Sequence, residues 1–249
     1  MDASTARSSA LASPTRCIAS TTHSTASKVT AQFLKTAAQE LNNPISTIKT
    51  ALTLLSSPTL KPQQRERYLQ MIGQACDRQS HLINNVFELL ELQLGPQTTV
   101  LEKVQLWDLV PGVVSTYQPL ATERNILLAY TVSNQLPPVL ALEAHLKQVL
   151  ISLLSNSIQF TDNNGRIWVK AHHRVDGKVA LVIQDDGQGI VPSALPQVFN
   201  SFYRSTSEGS GLGLTLVQQL LLHCGASISV SSSPGKGTSF TILLGTYQN

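Results

Sequence analysis

Four apolar residues, Leu34, Leu41, Ile48 and Leu55, recur at every seventh position, and Ala38, Ile45 and Leu52 interleave with them as a second apolar set. A seven-residue apolar repeat suits a long helix that buries a seam against other helices, and little else. Pro44 falls inside that helix; it has no N–H to bond the Glu40 carbonyl, which predicts a bend there. A turn over residues 56–62 follows, and Pro62 is placed to open a second helix at its first position. That helix carries Leu69, Ile72, Cys76, Ile83, Val86 and Leu90, with Gln79 as its polar lapse. Two helices joined by a short turn predict an antiparallel hairpin. The pair alone exposes too much seam for water, so dimerisation into a four-helix bundle is expected. A monomeric hairpin packed on the domain that follows is the alternative.

Composition narrows the function classes. The 249 residues are 42% hydrophobic, enough for a real core, while charged residues make up 13% and the net charge is only +3. Nucleic-acid and membrane-surface binding call for clustered Lys and Arg, and no such cluster is present, so neither is expected. Cys17, Cys76 and Cys224 are far apart and odd in number, which predicts reduced thiols in a cytosol-like compartment and no metal site among them. No apolar run approaches the roughly 18 residues of a membrane span, and a soluble protein is expected. Residues 1–28 are rich in Ser, Thr and Ala, without apolar periodicity, and read as a disordered leader. An organellar transit peptide has the same composition and is the alternative to a cytoplasmic linker.

Gly95-Pro96 ends the hairpin, residues 29–95, and residues 99–249 alternate elements in the manner of an α/β sandwich. Strands are predicted over 100–106 and 126–132, and helices over 109–124 and 144–160. An antiparallel pair is predicted over 167–173 and 179–184, turning at Asp176-Gly177. A helix over 212–223 and a last hairpin of strands 226–231 and 239–244 complete the chain.

Four separated motifs in this second domain carry chemistry. Asn156 lies on the apolar helix, and its amide oxygen suits a hard cation such as magnesium when nucleotide phosphates supply most of the charge; a buried Asn capping a neighbour is the plainer reading. Asp185-Asp186-Gly187-Gln188-Gly189 follows a strand, where a carboxylate can accept a hydrogen bond from an exocyclic amine such as that of adenine. Gly209-Ser210-Gly211-Leu212-Gly213 opens a helix, whose free N–H groups and dipole favour phosphate. It lacks the spacing and the preceding strand of the dinucleotide fingerprint. Gly235-Lys236-Gly237-Thr238 sits in a hairpin turn that lets a neighbouring loop approach. Each motif alone is a common turn or hinge, and their order is what makes the set specific.

With these motifs in this order, residues 29–249 resemble the transmitter core of a two-component sensor histidine kinase. The fold implied is α+β: a helical hairpin, completed as a four-helix bundle on dimerisation, and then an α/β sandwich of the Bergerat (GHKL) ATPase type. The resemblance implies ATP and Mg2+ as cofactors, with Asn156 on the metal and Asp185 on adenine. Gly187, Gly189, Gly209, Gly211, Leu212, Gly213 and Thr238 would complete the nucleotide site. The segment Phe199–Arg204 resembles the family's phenylalanine-rich stretch before the lid, which places Phe202 and Arg204 near the nucleotide and makes residues 205–209 a short lid.

The departures are as informative. The family's phosphoacceptor motif reads His-Glu-Leu-x-x-Pro, and this chain has Gln39-Glu40-Leu41-Asn42-Asn43-Pro44. A glutamine amide nitrogen is delocalised into its carbonyl and offers no lone pair, unlike a neutral imidazole, so self-phosphorylation at residue 39 is chemically excluded. His23 and His81 are the remaining histidines of the first 95 residues, and a structural role is the plainer reading for each. Ser152 stands where the family has an earlier helix asparagine, and Gln159 where it has a lysine facing phosphate. Loss of that cation weakens nucleotide binding by about 1–3 kcal/mol. Relatives that dephosphorylate a response regulator carry an acid-x-x-Thr/Asn pattern after the histidine, and Glu40-x-x-Asn43 fits it. There the amide orients a water for in-line attack on an aspartyl phosphate; the plainer reading makes both residues exposed helix positions.

The functional expectation is a signalling protein that binds Mg-ATP as a homodimer, or as a heterodimer with a kinase, and acts on a two-component partner. It would phosphorylate a histidine in trans or dephosphorylate a response-regulator receiver domain. A nucleotide-responsive pseudokinase that controls a partner without catalysis is the competing class. No sensory domain precedes Val29, so input is expected through a partner, the leader or a further domain.

Overall fold

The structure, a computed structural model, describes residues 19–57, 60–94, 100–204 and 209–247, with side chains from residue 31 onward. Residues 1–18 of the leader expected over 1–28, the Gly95-Pro96 stop and residues 205–208 of the expected lid lie outside the described residues. Helix α1 runs Ala19–Leu55 without interruption at Pro44, and α2 runs Pro62–Leu94. The start of α1 corrects the leader boundary: residues 19–28 are helical. Between Cys17 and the heptads there is no Gly or Pro to stop a helix once nucleated, and propagation costs far less than nucleation.

The chain divides into two compact units, up to Glu40 and from Leu41 onward. In the first, Ala37 is buried and Leu34 exposed. In the second, Pro44 and Ala51 are buried, Leu41, Ile48 and Leu55 half-buried, and Ile45 and Leu52 exposed. On α2 the buried positions are Ala75, Leu82, Val86 and Leu89, while Leu69 and Phe87 stay exposed. The covered register thus differs from the expected seam: on α1 the buried positions, Ala37, Pro44 and Ala51, belong to neither apolar set, the set of Leu41, Ile48 and Leu55 is half-covered, and Ala38, Ile45 and Leu52 face outward; on α2 only Val86 of the expected series is buried.

After α2 come β1 (Glu102–Val104), α3 (Leu106–Glu123), β2 (Leu127–Val132), β3 (Val139–Ala141) and α4 (Glu143–Phe160). Then follow β4 (Arg166–His173), β5 (Val179–Asp185), a 3-10 turn over Leu195–Gln197, α5 (Gly213–His223), β6 (Ser227–Ser233) and β7 (Gly237–Leu244). Helix α3 begins three residues earlier than expected, so the predicted strand over 100–106 shrinks to β1. Strand β3, unforeseen, pairs antiparallel with β1.

The main sheet has the order β2-β4-β5-β7-β6, with β2 and β4 parallel and the other neighbours antiparallel. Helix α3 packs on β2, α4 on β5 and α5 on β6, with α4 touching both other helices. The strand period of two sets which side chains lie beneath them. Ile167, Val169 and Ala171 of β4 pair with Asp185, Ile183 and Leu181 of β5, and Ile183 and Leu181 pair with Phe240 and Ile242 of β7. All of these are buried. Asp185 therefore inherits the core-facing side from Leu181 and Ile183, at the end of the strand under α4. The Arg124 guanidinium closes the C-terminal end of α4, donating to the Ile158 and Thr161 carbonyls where the helix dipole favours a cation.

Candidate nucleotide-binding site

Asp185 is 5% exposed, and both of its carboxylate oxygens are partnered. Its Oδ1 accepts the backbone N–H of Gly187 at 3.1 Å and of Thr238 at 3.0 Å, and its Oδ2 accepts the Ser157 hydroxyl at 3.1 Å. Burial raises its pKa above the ordinary carboxylate range and the neighbouring Asp186 adds to this, while the three donors pull the other way. Asp186 points away from the core by strand alternation and accepts the Arg166 N–H at 2.6 Å.

The approach of β7 makes this cluster possible. Gly237 has φ +83°, and a Cβ there would collide with the Asp185 carbonyl; only glycine lets the β6–β7 turn come close enough for Thr238 to reach the carboxylate. The same turn holds the glycine loop after β5: Gly235 N–H donates to the Gln188 carbonyl at 2.7 Å, and Ile190 N–H to the Ser232 hydroxyl at 2.8 Å. Thr238 and Ser232 hydroxyls lie 3.0 Å apart. Two motifs far apart in sequence thus form one frame around Asp185.

A cavity of about 490 Å³ opens beside this frame. Asn156, Asp185, Gly189, Arg204, Gly209, Gly211, Gly213 and Thr238 line it. Among the expected nucleotide residues, Gly187, Phe202 and Leu212 do not; Gly187 is buried behind Asp185 and Leu212 is fully buried at the N-cap of α5. Phe202 ties the phenylalanine segment to the start of α5: at φ +64° its N–H donates to the Gly211 carbonyl at 2.8 Å. Arg204 donates to the Gly209 carbonyl at 3.4 Å, so the described residues on either side of 205–208 are bridged twice. Thr215 on α5 donates to the Phe199 carbonyl at 3.0 Å, anchoring the phenylalanine segment to the helix.

Ser152 and Gln159 both line the cavity on the α4 side. Gln39 is exposed and Glu40 half-buried on α1; Asn43, one turn on, is exposed and is not a lining residue of the cavity. Sequence reasoning missed Ser157, whose hydroxyl beside Asn156 in an apolar helix was the available signal. It also missed the contribution of α2. Arg78, His81 and Asn85 line the same cavity, Asn85 Nδ2 lies 3.3 Å from the Ser210 hydroxyl, and α2 packs on α5.

A buried carboxylate beside a cleft, a neutral amide on the facing helix and a glycine-rich helix start fit adenine, a hard cation and phosphate respectively. Among the described residues no three His, Cys, Asp or Glu side chains cluster as a metal site, so a cation there would draw on Asn156 and on phosphate oxygens. No helix among the described residues is long and apolar enough to cross a membrane.

Comparison with known proteins agrees with this geometry. Residues 30–95 match the His Kinase A (phospho-acceptor) domain, and residues 141–248 match the histidine kinase-, DNA gyrase B- and HSP90-like ATPase family. Drug sensory protein A of Synechocystis sp. is 32% identical over 234 residues, 88% of this chain and 35% of that protein. Sensor histidine kinase ZraS of Salmonella typhi is 30% identical over 207 residues, 83% of this chain and 44% of that protein. The crystal structure of full-length ShkA in complex with AMPPNP superposes with a TM-score of 0.63 at 25% identity, covering 88% of this chain and 47% of that one. The chain spans less than half the length of these relatives. What the chain carries is a transmitter core of the sensor histidine kinase type, a phosphoacceptor-type hairpin followed by the ATPase domain.

Proposed function

We propose that the chain binds Mg-ATP and acts on a two-component partner, with self-phosphorylation at residue 39 closed off by Gln39. The observation that carries this reading is the buried Asp185 carboxylate, held by Ser157, Gly187 and Thr238 at the wall of a cavity that Asn156 also lines. Asp185 accepts the adenine amine, Asn156 offers its amide oxygen to magnesium, and Gly211 and Gly213 bring backbone N–H groups toward phosphate. Arg204 stands at the lid end of the same cavity with a second positive charge. ATP supplies a transferable phosphoryl group, and the acceptor is a histidine of a partner chain. Outward-facing Ile45, Leu52, Leu69 and Phe87 support a second helical hairpin, from a like copy or a kinase, as the cover that completes a four-helix bundle.

The exposure of Asn43, on the turn after Glu40, favours a second activity, dephosphorylation of a receiver domain, because the Asn43 amide is accessible to orient a water. The test mixes the purified chain with γ-labelled ATP and a His-bearing relative, and separately with a phosphorylated receiver. Label on the relative supports trans phosphorylation, and phosphate release that disappears in Asn43→Ala supports the phosphatase. Neither outcome, with Mg-ATP still bound, leaves a non-catalytic pseudokinase that controls its partner through the hairpin.

A further inference from the structure

We infer that Arg78 of α2 is a phosphate ligand of the nucleotide site, so that the hairpin itself supplies the positive charge that α4 lacks. The inference rests on the Mg-ATP reading above. Arg78, His81 and Asn85 are spaced i, i+3 and i+7, which sets them on one face of α2, and all three line the cavity that Asn156 and Asp185 line. The 3.3 Å contact between Asn85 and Ser210 holds that face against the glycine-rich start of α5, where phosphate is favoured.

Charge decides what the face is for. The α4 wall of the cavity presents Gln148, Ser152, Ser155, Asn156 and Gln159, all neutral. Among the described lining residues Arg78 and Arg204 are the only Lys or Arg, one from the hairpin and one from the segment after Phe202. A triphosphate is polyanionic, and a planar guanidinium matches its oxygens two at a time. Arg78 is half-buried, so its charge is screened less than that of a fully exposed arginine. Binding of a triphosphate therefore engages α2 directly, and the hairpin senses occupancy of the site through this side chain.

The test is calorimetry of the full chain with Mg-ATP at several salt concentrations, for wild type, Arg78→Ala, Arg78→Lys and Asp185→Asn. Arg78→Ala is expected to weaken ATP binding about 10- to 100-fold, the scale of a lost charge-assisted hydrogen bond, and to flatten its salt dependence. Arg78→Lys is expected to recover part of both. ATP affinity in Arg78→Ala within about twofold of wild type, or a loss with the salt dependence unchanged, overturns the inference, and if Asp185→Asn has meanwhile lost binding the nucleotide reading stands. Absence of ATP binding by wild type overturns both.

Discussion

Ser157 Oγ donates to Asp185 Oδ2 across 3.1 Å, tying α4 to the end of β5 inside the core. Ser157 is 2% exposed and immediately follows Asn156, so this bond fixes the rotation of α4 that turns Asn156 to the cavity. In Ser157→Ala, Oδ2 loses its donor in a buried setting, which costs about 1–3 kcal/mol. Thermal melts should show that destabilisation, and Mg-ATP affinity should fall along with it.

The raised pKa of Asp185 gives two opposite pH dependences. An ionised carboxylate is the better acceptor for an exocyclic amine, so ATP affinity should fall as pH drops through the raised value, above the ordinary carboxylate pKa of about 3.9. For stability the sign reverses. The folded state binds more protons than the unfolded state between the two pKa values, so the contribution of Asp185 is full below the unfolded value and lost as pH rises through the folded one. Calorimetry should show the affinity slope in wild type, and melts should show wild type gaining stability relative to Asp185→Asn as pH drops through the raised value.

His145 should make the protein acid-sensitive. Its pKa is lowered, first by burial and then by the nearby His223, whose ring lies edge-on at 6.4 Å. The unfolded state takes up a proton first, so stability is full above the unfolded pKa of about 6.5 and falls as pH drops through it. Melts of His145→Phe between neutral and mildly acid pH should show a shallower loss than wild type.

Gln159→Lys should restore a cation to the α4 wall. Gln159 lines the cavity one turn from Asn156, and a lysine there should strengthen Mg-ATP binding by about 1–3 kcal/mol, measurable by calorimetry.

The hairpin and sheet domain were legible because periodicity is local: sevens in Leu34 to Leu55, twos in Ser227 to Ser231, and a continuous apolar run in Val179 to Ile183. Element ends were less so. Leu101 to Leu106 mixes apolar and polar residues as a strand does, but Leu106 is the first residue of α3, and the three residues of β3 are too few to carry a period. In the site, Asp185 and the glycine motifs could be read because each sits at an element end with its own local signature, and Asn156 because it is a polar residue on an apolar helix. Arg78, His81 and Asn85 could not, because their role depends on α2 packing against α5, a contact across more than a hundred residues of chain. The seam itself was half legible: its seven-residue spacing shows in the sequence, but the buried positions of α1, Ala37, Pro44 and Ala51, lie outside both apolar sets that the spacing picked out.

The most direct test is calorimetry of the full chain with ATP and excess magnesium, beside Asp185→Asn. Saturable binding by wild type, lost in the variant, is the predicted result. No binding by wild type, or equal binding by Asp185→Asn, would contradict the account.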